Sequence, residues 1–139
     1  EEQLRRTFAA AKKPIAGLET ADEQFSFFDS MSADAQNTLL ISTVDESGDA
    51  RAEFDKMLGA WKRGDEKKIA LSFDDELKMS PELVDKLLRK RNANWAAWID
   101  ERMDQPGTIF MAVGAGHLAG RDSVQKMLKQ RGFRVKRIQ

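Results

Sequence analysis

Close to the C-terminal end the chain reads "MAVGAGHLAG", residues 111–120, with Gly114, Gly116 and Gly120 crowding around His117, the only histidine among 139 residues. A single imidazole can ligate a metal, move a proton or simply hydrogen bond inside a turn. Gly114 and Gly116 let the backbone take conformations closed to other residues or approach a neighbour closely, so they are expected to fix where the ring points. Two blander chemistries stand beside that one. In the first the glycines make a tight turn and His117 is a hydrogen-bonded residue at a helix start. In the second the free backbone N–H groups of Gly114 and Gly116 cradle a phosphate-bearing cofactor. The spacing is G-x-G-x-x-x-G, one residue off the dinucleotide fingerprint, which makes that signal weak.

A second constellation lies on the helix opened by Ser80-Pro81. Its apolar stripe runs through Val84, Leu87, Leu88, Trp95, Trp98 and Ile99, and Arg91 and Asn92 interrupt it. Arg91 lies four residues after Leu87 and four before Trp95. That is the face meant for the core, where an unpaired guanidinium is costly. Either the helix bends and the arginine reaches past its neighbours to water, or Arg91 and Asn92 face a polar pocket holding an anion. Glu19, at the end of the apolar stretch "PIAGLE", is such an anion. Glu19, Arg91, Asn92 and His117 are therefore expected to converge on one cleft.

Positioning these side chains requires elements the pattern supplies. "EEQLRRTFAAAKK" suits a helix. "PIAGLE" (14–19) reads as a short apolar strand with Glu19 at its carboxyl end. Thr20 and Glu23 form a capping box for a helix expected to bury Phe25, Phe28 and Met31. Ser32 caps the next helix, which carries Leu39, Leu40 and Val44. "DESGD" is a turn, and Phe54, Met57, Leu58 and Trp61 mark a helix stopped by Gly64. "DEKKIALSFDDELKM" reads equally as loop or as resumed helix. "TIFMAV" (108–113), apolar throughout, fits a strand buried on both faces. "SVQKMLKQR" is an amphipathic helix ended by Gly132, and "FRVKRI" alternates like an edge strand. The sum is an α/β fold: one helix-rich domain, residues 1–139, around a small, mostly parallel sheet.

Composition narrows the partners. Lys and Arg number 23, as do Asp and Glu, so no general charge argument favours nucleic acid or an anionic membrane. The absence of cysteine excludes disulfides and thiolate metal sites. No apolar run is long enough to span a bilayer. The chain begins without methionine and is expected to lack its natural start.

Three ordered stretches, "PIAGLET" with the following "EQ", "RNANWAAWI" and "FMAVGAGHLAG" leading to "MLKQRGFRV", together resemble the C-terminal half of the TraB/GumN family, to which the Tiki proteins are related. The resemblance implies a metal-dependent, protease-like hydrolase of the bacterial cell envelope or periplasm, often a lipoprotein, acting on a peptide or protein. It also implies two G-x-x-H motifs, one in each half, together with a glutamate and an arginine-asparagine pair. Here Gly114 and His117 match one G-x-x-H, Glu19 the glutamate, and Arg91 with Asn92 the pair. By resemblance Glu19, Arg91, Asn92 and His117 are the catalytic set, and His117 and Glu19 the metal ligands. The other G-x-x-H has no counterpart, because there is no second histidine. A hydrolytic metal site takes three or more protein ligands, so the chain is expected to be the C-terminal half of a larger α/β domain, holding half of a site. A divalent zinc, manganese or cobalt ion is then expected only in a longer parent, completed by the N-terminal half or by a second copy of the chain. A non-catalytic peptide- or ligand-binding module is the alternative.

Overall fold

The computed structural model describes residues 1–45, 50–77 and 80–138. In chain order it forms α1 (Glu2–Ala10), α2 (Ala21–Asp29), α3 (Ala33–Asp45), α4 (Ala50–Lys62), α5 (Glu66–Leu77) and α6 (Pro81–Val84). A wide π turn (Asp85–Arg89), α7 (Lys90–Met103), a 3-10 turn (Ala115–Leu118) and α8 (Val124–Gln130) follow. None of these helices is long and apolar enough to cross a membrane.

Local sequence accounts for most of the boundaries. The Thr20 hydroxyl accepts from the Glu23 N–H at 3.2 Å. In return the Glu23 carboxylate accepts from the Thr20 N–H at 2.7 Å, closing the capping box of α2. Gly64 and Gly132 end α4 and α8 at φ +62° and +93°, the left-handed region that glycine enters without strain. "DEKKIALSFDDELKM" resolves as α5 up to Leu77. The turn expected at "DESGD" falls largely on residues 46–49, outside the described residues.

The expected α/β fold with a mostly parallel sheet is not what the chain forms: there is no strand among the described residues. "PIAGLE", "TIFMAV" and "FRVKRI" all run outside helices, yet no backbone–backbone hydrogen bond joins any of them to another among the described residues. A strand exists only by virtue of its ladder. What holds these segments is side-chain docking. Leu18, Met111 and Val113, with Leu128, pack against a buried cluster of Trp95, Ile99 and Val124. Ile109, Met111 and Val113 are half-buried while Phe110 and Ala112 face outward. Phe110 is 63% exposed, so the uniform apolarity of "TIFMAV" does not report burial on both faces.

Two further small clusters lie among the described residues. Met31, Ala35 and Leu83 join α3 to α6, and Ala60, Ile69 and Ala119 join α4 and α5 to the 3-10 turn. The α2 helix buries less than its pattern suggests, since Phe25 and Phe28 are exposed and only Met31, just past its end, is buried. Glu82 ties the α2–α3 corner to α6: it accepts from the Ser32 N–H at 3.1 Å and the Ser32 hydroxyl at 2.6 Å.

Candidate functional site

Helix α7 places the two polar interruptions of its stripe on either side of Trp95. Successive helix residues point in different directions, whereas residues three and four apart are neighbours. Arg91 and Asn92 therefore diverge, and Trp95, four after one and three after the other, stands between them. The π turn that immediately precedes α7 resets the helix register there, a feature frequent at functional sites.

Arg91 turns toward Glu19. Its Nε donates to Glu19 Oε1 at 2.9 Å and its Nη2 donates to Oε2 at 2.7 Å, a two-pronged ion pair of the strong, charge-assisted kind. Trp95 Nε1–H donates to Oε1 at 3.1 Å and Gln24 Nε2 donates to Oε2 at 3.4 Å. Only 8% of the Glu19 side chain and 20% of the Arg91 side chain remain exposed. The guanidinium lies over the Trp95 ring at 5.1 Å and over the Phe27 ring at 5.6 Å, within reach of a cation–π attraction.

Asn92, fully buried, turns the other way. Its Nδ2 donates to the Asp122 carbonyl at 2.7 Å, which leaves Oδ1 facing His117 Nδ1, also at 2.7 Å. An amide oxygen only accepts, so His117 Nδ1 carries the proton and Nε2 keeps its lone pair. The His117 ring packs on the Trp95 ring, centroids 4.4 Å apart. The structure thus brings Glu19, Arg91, Asn92 and His117 to one place.

The glycines act differently from the sequence expectation. Gly114 sits at φ −58°, where any residue fits, and a Cβ there would meet His117 Cδ2 at an ordinary 3.8 Å. Gly116 is buried within the 3-10 turn, and the left-handed position is Gly120 at φ +76°. The His117 N–H is taken by the Gly114 carbonyl at 3.0 Å. The expected approach, strand then glycine turn then helix, becomes an unpaired extended segment, a 3-10 turn and a separately started α8.

Burial pushes the His117 imidazole down from 6.5 to about 4, with the Arg91 guanidinium adding to the effect and the Glu19 carboxylate opposing it. The ring is neutral at pH 7. The unfolded chain takes up the proton first as pH falls through about 6.5. Stability present at neutral pH is therefore lost between there and pH 4. Allowing for the water that reaches the ring, the loss is expected to be about 1–2 kcal/mol. Urea unfolding at pH 7, 6 and 5 checks it: the midpoint should fall in the protein and stay flat in His117→Gln.

Sequence reasoning missed Trp95, Gln24 and the Asp122 carbonyl as parts of the site. Trp95 was legible in principle, because a buried indole N–H needs an acceptor and this one flanks a polar pair on an apolar stripe.

No curated protein and no solved structure matches the chain. A family model does, along nearly its whole length, in keeping with the resemblance carried by Glu19, Arg91, Asn92 and His117. The chain belongs to the TraB/PrgY/gumN family, whose model matches residues 1–137.

Proposed function

We propose that this chain supplies one arm of a protease-like, metal-dependent hydrolase of the bacterial cell envelope, with His117 as its working side chain. The observation that supports this most is the bond from His117 Nδ1 to Asn92 Oδ1, which leaves Nε2 unprotonated and without a hydrogen-bond partner among the described residues. An imidazole that protonates only near pH 4 is a poor general base at neutral pH. It is suited instead to offering a lone pair, as neutral imidazoles do toward metals. The envelope location and the peptide substrate rest on family membership.

The residues present do not by themselves fit a divalent ion. Both oxygens of Glu19 are engaged by Arg91 and Trp95, and the guanidinium beside the site repels a cation. No group of three or more His, Asp or Glu suited to a metal occurs among the described residues. Glu19 therefore acts here as the anchor of Arg91, and a complete site needs donors from a further segment or a second copy.

A non-catalytic peptide-binding module is the second reading, favoured by an apolar cleft of about 170 Å³ lined by Phe54, Met57, Leu58, Trp61, Ile69 and Ala115. Ala115 is two residues from His117. Calorimetric titration of zinc, manganese and cobalt into the chain, with His117→Ala as control and a peptidase assay alongside, tests the half-site reading, and metal binding without turnover favours the module. The expected result is weak or no metal binding and no turnover. A micromolar site lost in His117→Ala, together with turnover, would show that the chain is a complete enzyme. Where the family's second G-x-x-H is also present, His117→Ala is expected to abolish both metal binding and hydrolysis.

A further inference from the structure

We infer that Trp95 is a positioning residue that holds the His117 ring and the Glu19–Arg91 pair in one fixed arrangement. Three separate contacts support the assignment. The indole N–H is the third close donor to the Glu19 carboxylate, at 3.1 Å. One aromatic surface meets the imidazole at a centroid distance of 4.4 Å and an interplanar angle of 48°. The Arg91 guanidinium lies 5.1 Å from the indole ring. Trp95 is only 5% exposed and packs with Ile99 and Val124, so the arrangement is anchored in the interior rather than in a surface loop.

The chemistry follows from the geometry. Without the indole, nothing fixes the plane of the imidazole on that side, and the Glu19 carboxylate loses a donor that keeps the Arg91 pair in place. Trp95 thus keeps Nε2 aimed, acting through His117 and touching no substrate itself. The assignment rests on His117 being the working side chain. Its test reads the ring rather than turnover, so it can fail or succeed independently of the hydrolase reading.

The experiment uses the full chain labelled with ¹⁵N, in which the one imidazole is followed by NMR at about pH 7.5. In Trp95→Phe the His117 Nδ1–H is expected to exchange with water several-fold faster, because the ring is no longer held against Asn92. In Trp98→Phe, on the same helix but 44% exposed, the exchange should not change. Glu19→Gln gives a second readout with the indole intact: the Trp95 Nε1–H resonance should shift and exchange faster with solvent. An unchanged Nδ1–H exchange rate in folded Trp95→Phe would overturn the assignment. If that variant does not fold, an unmoved Trp95 resonance in Glu19→Gln would overturn it equally.

Discussion

Replacing Arg91 by alanine is expected to destabilise the fold by about 3–5 kcal/mol, because it strands a buried carboxylate without its cation. Glu19 is 8% exposed as a side chain, and two of its closest donors belong to Arg91. The penalty comes from the orphaned charge rather than from the lost contact, which fixes the expected pattern in a double-mutant cycle. Glu19→Gln combined with Arg91→Ala should cost less than Arg91→Ala alone, since the amide needs no cation. Arg91→Lys should fall in between: it keeps the charge but cannot reproduce the two parallel bonds. Urea unfolding of these variants beside the parent chain measures this. If Arg91→Ala changed stability by no more than an exposed pair does, about 1 kcal/mol or less, the ion pair would be solvent-separated and the site open.

Asn92→Ala is expected to cost about 2–5 kcal/mol, because it leaves two polar groups that face its buried position without partners. These are the Asp122 carbonyl and the His117 Nδ1–H, both met at a position that is 0% exposed. The aspartate variant separates packing from chemistry. Asn92→Asp keeps the volume and still accepts from Nδ1–H. However, it removes the donor to Asp122 and sets a carboxylate against the imidazole. Its His117 should protonate at a higher pH than in the parent chain. Thermal unfolding gives the stability of both variants, and NMR titration of the imidazole gives the protonation. A fully stable Asn92→Ala would mean that the buried amide does not organise the site.

The meeting of Glu19, Arg91, Asn92 and His117 was more legible in the sequence than the architecture. Arg91 and Asn92 announced themselves by violating an apolar stripe, and a violation of that kind has few physical solutions. One is a buried partner, and Glu19 proved to be it. His117 stood out by uniqueness and glycine context, although Gly114 does not use the backbone freedom that glycine offers. The sheet was misread for a physical reason. "TIFMAV" and "PIAGLE" carry the composition of buried strands, but composition does not state whether a ladder partner lies alongside. Here Met111, Val113 and Leu18 satisfy themselves by packing on Trp95 and its neighbours. Phe25 and Phe28 misled in the same way, since helical spacing predicts a common face and not what covers it.

The proposed function turns on a neutral His117 whose proton sits on Nδ1, held there by Asn92. The most direct test is ¹⁵N NMR of the imidazole in the unaltered chain, where a lone histidine gives a single pair of ring nitrogens. At pH 7 one tautomer is expected, protonated at Nδ1 and bare at Nε2, persisting until the ring titrates near pH 4. A proton on Nε2, a fast average of the two tautomers, or an ordinary midpoint near about 6.5 would contradict it.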